Sequence, residues 1–182
     1  MIFLLLTPLI ISIQSCPLSE SEEVLSIHNS LRSSVSQGIF IAKGKSMPPS
    51  TTPITNLTWD CSLENSAQKV ADECVFAHSH IPNIGENLYK AWSSGKISGT
   101  GLAVNASQAW ADEFQKYGWN DTTLTMSLFN LGVGHATQMV WAGTDKIGCG
   151  ASSCDSGNTV IVVCHYSKQG NILGAKIYDA QT

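Results

Sequence analysis

The chain has 182 residues, of which 43% are hydrophobic and only 13% charged, with ten basic against fourteen acidic side chains and a formal net charge of −4. That length is one domain with room for a core of its own, and the scattered Lys and Arg exclude a phosphate-neutralising surface, so nucleic acid is not an expected partner. Six cysteines are too few to stand in for a core and read as staples on a packed domain.

Residues 1–15, MIFLLLTPLIISIQS, hold no charged side chain and carry an apolar run from Ile2 to Ile13 broken at Thr7, Pro8 and Ser12. The run falls short of the roughly 20 residues of a membrane-spanning helix but suits the apolar region of a secretory signal peptide. Cleavage before Cys16 is expected, leaving one domain over residues 16–182, secreted to the extracellular space and not transmembrane. A bacterial lipoprotein signal is the competing reading of an apolar run ending at a cysteine. It lacks basic residues at the start, and Gln14 stands where a small residue is usual. Export favours disulfides over a zinc cluster, and no C-x-x-C pair is present. Export also makes the sequons at Asn56, Asn105 and Asn120 candidates for glycosylation.

Ser19 to Glu22 has the spacing of a capping box, followed by Val24, Ile27, Leu31 and Val35 at helical intervals, so a first helix is expected up to Gly38. Residues 43–58, rich in Pro, Ser and Thr, read as a loop. A second helix is expected from about Asp60 to His78, with Leu63, Ala67, Val70, Ala71, Cys74 and His78 on one face. No regular element is expected between Ser79 and Thr100. A third helix, Val104 to Tyr117, collects Ala106, Trp110, Phe114 and Tyr117 on its apolar side, together with Glu113, a carboxylate that needs a partner there. After Gly132 and Gly134, a short helical segment from His135 to Trp141 leads to strands Lys146–Ser152 and Thr159–Tyr166, joined by a turn. If that turn centres on Ser156 and Gly157, Cys149 lies opposite Cys164. A final strand over Ile172–Tyr178 is expected to complete a small antiparallel sheet.

The residues with chemistry to offer are dispersed: His78, Glu86, Glu113 and His135. Imidazoles and carboxylates of this kind would satisfy one another and, brought together, suit Zn²⁺. Spacing alone reads them as four separate hydrogen-bonded positions, and there is no H-E-x-x-H. Nucleophilic catalysis has less support, since no G-x-S-x-G elbow is present and Ser79 reads as a helix-end hydroxyl bonding the backbone. Trp110, Phe114, Tyr117, Trp119 and Trp141 read as core aromatics before cleft aromatics.

His78-Ser79, Gly85-Glu86-Asn87-Leu88, Trp110 to Glu113, Gly134 to Trp141, and Cys164-His165-Tyr166 through Gly170-Asn171 follow the order and spacing of the CAP superfamily. That superfamily includes cysteine-rich secretory proteins, insect venom antigen 5 and plant pathogenesis-related proteins. Cys16-Pro17, His28 to Arg32 and Trp59-Asp60-Cys61 further resemble the single-domain venom-allergen-like or activation-associated secreted proteins of parasitic nematodes. The resemblance implies an α+β fold, a disulfide-stapled three-layer α-β-α sandwich, with His78, Glu86, Glu113 and His135 converging in one cleft. It implies that His78 and His135 can hold zinc or another divalent cation, with Glu86 and Glu113 close by. It also implies pairing of Cys74 with Cys154 and Cys149 with Cys164, and with them Cys16 with Cys61. Two positions depart from the family pattern: Ala136, where an aromatic is usual and the cleft wall is expected to loosen, and Lys168, on a surface turn.

The function implied is a secreted, non-enzymatic effector that binds lipids or sterols, or host or environmental proteins, and modulates immunity. The alternatives are a zinc-dependent hydrolase working through His78, His135, Glu86 and Glu113, and an inhibitor of a host receptor or protease acting through loops 43–58 and 92–101.

Overall fold

The computed structural model describes residues 16–181, so the expected signal peptide lies outside the described residues. Helix α1 (Ser21–Ser36) buries Val24, His28, Leu31, Arg32 and Val35 along one stripe, as the helical spacing of its apolar residues requires. Its start differs from expectation. Ser19 makes no cap, and the carboxylate of Glu20 instead reaches the N–H groups of Gly101 (2.6 Å) and Ala103 (3.0 Å). Those belong to the start of α3 (Leu102–Ala111), whose cap residue Gly101 has no side chain to offer its orphan donors.

A short hairpin, β1 (Ile41–Ala42) with β2 (Lys45–Ser46), precedes strand β3 (Thr58–Trp59) and helix α2 (Cys61–Asp72). Asp60 caps α2, accepting from Ser62 N (2.9 Å) and Leu63 N (3.1 Å). The helix ends six residues before the expected His78. Cys74, tied by a disulfide to Cys154, takes a left-handed φ of 55° that no helix continues through. His78 therefore sits on a loop.

The stretch expected to be irregular contains β4 (Ile84–Trp92), a nine-residue strand. With β3, β5 (Lys146–Cys154) and β6 (Thr159–Ser167) it forms a sheet in the order β3-β5-β6-β4, in which β3 runs parallel to β5 and the other pairings are antiparallel. The β5–β6 hairpin has the expected register, with Cys149 opposite Cys164. Its turn runs through Asp155, Ser156 and Gly157, all three at positive φ (50°, 58° and 96°).

Strand β6 alternates. Ile161 and Val163 join Ala67, Val70 and Ala71 of α2 in one cluster, while Val160, Val162, Cys164 and Tyr166 face the main core with α1 and α3. The sheet is thus the middle of three layers. Helix α2 lies close because Gly148 and Gly150 of β5 have no side chains: a Cβ at either would strike α2 backbone, at Glu64 N and Asp60 O for Gly148 and at Gln68 for Gly150. Three disulfides join Cys16 to Cys61, Cys74 to Cys154 and Cys149 to Cys164.

The expected third helix is two. α3 stops at Ala111, and α4 (Glu113–Tyr117) follows a break at Asp112. Helices α5 (Met126–Phe129) and α6 (Gly134–Met139) complete the layer. The expected strand at Ile172–Tyr178 is absent. Gly174 has φ 81° and Ala175 N–H turns back to Ile172 O, so the segment is joined to Thr122, Leu124 and Ala142 by backbone bonds and to Thr123 by an isolated bridge at Lys176, without forming a strand. Arg32, fully buried on α1, ties the loop before β3 to the end of α6 and the turn after it by donating to the carbonyls of Thr55, Met139, Trp141 and Thr144 at 2.7–3.0 Å. Burial lowers its pKa to about 10, which leaves it charged at neutral pH.

Candidate functional site

The site forms at β4 because β4 is the last strand of its sheet. Successive residues of a strand point to opposite faces, and at this edge both faces are within reach of loops. Glu86 pairs in register with His165 on β6 and shares its face, that of α2, whereas Asn87 turns to the main core.

Glu86 gathers four donors. Its Oε1 lies 2.8 Å from His78 Nδ1 and accepts the Ser79 N–H at 2.9 Å. Its Oε2 accepts the Ser79 hydroxyl at 2.6 Å and lies 2.9 Å from Nε2 of the fully buried His165. Burial works to raise its pKa, but the bonds from His165, Ser79 and His78 together outweigh burial and lower it to about 2. The carboxylate that fastens the loop to the sheet is therefore ionised throughout the physiological range. Ser79 is not the backbone-bonding hydroxyl expected of a helix end: its Oγ serves Glu86, and no imidazole stands behind it as a base.

Glu113, the first residue of α4, makes the matching arrangement. Its Oε1 lies 2.6 Å from His135 Nδ1, and its Oε2 accepts the N–H groups of His135 and Ala136, both at 3.0 Å. This is the partner its place on an apolar stripe demanded. His135 also stacks on the buried Trp110 indole, with ring centroids 5.7 Å apart and planes 18° apart.

Behind the site runs a set of residues that sequence reasoning did not assign. His28 on α1 faces the Tyr166 hydroxyl with Nε2 (2.9 Å), and Asn87 Nδ2 donates to that hydroxyl (3.1 Å) and to the His135 carbonyl (3.2 Å). Burial lowers the His28 pKa to about 4, so the ring is neutral. Nδ1–H then donates to Val24 O, and Nε2 accepts from Tyr166. Polar residues on an otherwise apolar strand and helix stripe were the available signal.

His78, Glu86, Glu113 and His135 line one cavity of about 270 Å³, with Asn87, Phe129 and Asn171 among its other walls. A second chamber of about 390 Å³ adjoins it, sharing His78, Glu86, Phe129 and Asn171 and adding His80, Ile81 and Gln169. Each cleft imidazole gives Nδ1 to a carboxylate, and among the described residues no protein group bonds either Nε2. Two such nitrogens suit a divalent cation: a carboxylate behind an imidazole fixes its tautomer and raises its basicity. Among the described residues, no group of three or more His, Cys, Asp or Glu side chains is placed to hold a metal, and the cavity of about 270 Å³ is lined by two imidazoles, His78 and His135.

Ala136 is fully buried in the main core and lines neither chamber. Lys168 lies on an exposed turn and pairs with Asp145 at 3.1 Å. Trp110, Phe114, Trp119 and Trp141 are buried core residues and Tyr117 is exposed. The sequon residues Asn56, Asn105 and Asn120 are exposed.

Comparison with known proteins places these features. The chain is 35% identical over 178 residues to the Ancylostoma secreted protein of Ancylostoma caninum, which covers 91% of this chain but only 41% of that protein. It is 33% identical to venom allergen 3 of Solenopsis invicta, over 88% of this chain and 72% of the relative. Among solved structures, BmVAL-1 matches with a TM-score of 0.85 at 38% identity over 92% of this chain and 87% of its own. NaASP2, solved with Zn²⁺, matches at 0.81 and 37% identity over 90% of this chain and 87% of its own. The model of the cysteine-rich secretory protein family, CAP, matches residues 25–166, from α1 to the end of β6, and the chain belongs to that family.

Proposed function

We propose that this chain is a secreted, non-catalytic binding protein that takes a lipid or sterol, or a protein of a host or of its surroundings, and whose cleft holds a divalent cation on Nε2 of His78 and His135. The observation that carries the reading is the pairing of each imidazole with its own carboxylate through Nδ1, in two rings that line one cavity. A cation there is held on two imidazoles, with water or a bound ligand completing its shell. The Zn²⁺ in NaASP2 supports this choice of ion.

The same geometry speaks against hydrolysis. Glu86 is held near pKa 2 by the donors around it, which makes it a poor base, and Glu113 is bound by His135 and two backbone N–H groups. Support for a lipid ligand comes from a groove of about 540 Å³ between α1 and α3, where Ile27, Leu31, Phe40 and Ala111 alternate with polar side chains. Secretion is supported by residues 1–15 and by the three disulfides.

The test is calorimetric titration of the purified protein, freed of metal, with Zn²⁺. Wild type is expected to bind and the His78→Ala, His135→Ala double variant to lose binding. Equal affinity in both would refute the cleft as the cation site. For the lipid, palmitate and cholesterol uptake are measured on the same sample, and failure of both to saturate removes that ligand class.

A further inference from the structure

The chain carries a third imidazole beside the cleft. His78-Ser79-His80 is an H-x-H triplet, and the His78 and His80 rings lie 6.4 Å apart between centroids. Glu86 fastens the first two residues by holding His78 Nδ1 and both the N–H and hydroxyl of Ser79. His80 is held by nothing comparable. Its side chain is exposed, no hydrogen bond reaches its ring from the described residues, and its backbone adopts φ 53°. A non-glycine residue in the left-handed region is a feature to be explained, and such residues gather at ligand-holding turns. Here the turn sets the second histidine of the triplet on the wall of the outer chamber, which His78 also lines.

We propose that His80 is a further ligand of the cation held on His78 Nε2, so that the metal is open to the outer chamber as well as the inner one. The inference rests on His78 being a cation ligand, as proposed above. Two imidazoles on one tetrahedral Zn²⁺, at about 2.1 Å per Zn–N bond, set their ring centroids roughly 5 Å apart. His80 therefore has to close by roughly 1 Å. That movement is within reach of an exposed side chain with no bond to break, while His78 stays fixed by Glu86. His78 lines both chambers, which puts its side chain where the two meet. Imidazole-rich sites of this kind favour Zn²⁺, Ni²⁺ and Cu²⁺ over Mg²⁺ and Ca²⁺.

Zn²⁺ titrations of wild type, His80→Ala and His135→Ala, read by calorimetry and by the histidine ring signals in NMR, test this. His80→Ala is expected to bind Zn²⁺ at least tenfold more weakly than wild type, and the His80 ring signals of wild type are expected to shift together with those of His78. Unchanged affinity in His80→Ala, with unmoved His80 signals, would overturn the assignment. The two readings fail separately. Loss of affinity in His135→Ala alone leaves the inner pair standing and removes His80, whereas loss in His80→Ala alone keeps His80 and removes His135. Near-ultraviolet circular dichroism confirms that each variant is folded, and an exposed His80 side chain gives no reason for the fold to change.

Discussion

Replacing Glu86 by Gln removes a charge and little else in shape, so it isolates what the carboxylate contributes. With its pKa lowered from 4.5 to about 2, and 7% of its side chain exposed, Glu86 adds about 3 kcal/mol to stability at neutral pH by linkage. The sign follows from the direction of the shift. A carboxylate with a depressed folded pKa stabilises fully above its unfolded value and loses that contribution as pH falls through the folded value. At pH 2 only about 0.4 kcal/mol of it remains. The assay is denaturant unfolding of both proteins, disulfides intact, from pH 7 down to pH 2. Glu86→Gln is expected to be less stable at pH 7, and the gap to wild type should narrow by about 3 kcal/mol by pH 2, mostly below pH 4.5. A gap that narrows by less than about 1 kcal/mol would refute the reasoning, because the loss would then come from the misdirected amide and not from charge.

Three further outcomes follow from the packing. Gly148→Ala sets a Cβ against α2 backbone that cannot rotate away, so the melting temperature should fall by the equivalent of about 3 kcal/mol, the upper end for overpacking. Arg32→Ala leaves four backbone carbonyls without their donor and should cost about 3–5 kcal/mol in urea unfolding, with Arg32→Lys in between because an ammonium cannot reproduce the guanidinium fork. Replacing Cys74 and Cys154 by Ser opens an 80-residue loop, worth about 4.5 kcal/mol in the chain-entropy model. The same change at Cys149 and Cys164, which close 15 residues, is worth about 3 kcal/mol, and thermal melts should rank the two variants in that order.

The parts of the fold legible in the sequence are those specified locally. The β5–β6 register follows from its turn residues, and the α1 stripe from 3.6-residue spacing. β4 was not legible because Gly85, Glu86 and Asn87 break its apolar pattern. Their justification is long-range: Asn87 answers Tyr166 on β6, Glu86 answers His165 on β6 and a loop, and Gly85 leaves room for Gln138 of α6. The end of α2 was misread for a related reason. Periodicity continues through Cys74 to His78, but the disulfide to Cys154 and the pull of Glu86 on His78 outweigh it. Periodicity also kept α3 and α4 as one helix, although Glu113 breaks away to bind the start of α6. The site residues themselves were legible as types in order, through the family's motifs, and not through any spacing that would make them meet.

The breaks in local pattern and the site have a common origin. At three places where local pattern failed, the early end of α2, the hidden strand and the break at Asp112, a polar side chain leaves its own element to bind another. Glu86 joins β4 to the loop after α2, and Glu113 joins α4 to α6. Both carboxylates thereby brace the cleft as well as line it. Removing either one takes away an imidazole's orientation and a tertiary tie together. A general base must exchange its proton in every cycle, and here protonating either carboxylate would weaken the tie to the loop carrying His78 or to the segment carrying His135. The two imidazoles, whose Nε2 atoms bond no protein group among the described residues, can engage something new without loosening either tie.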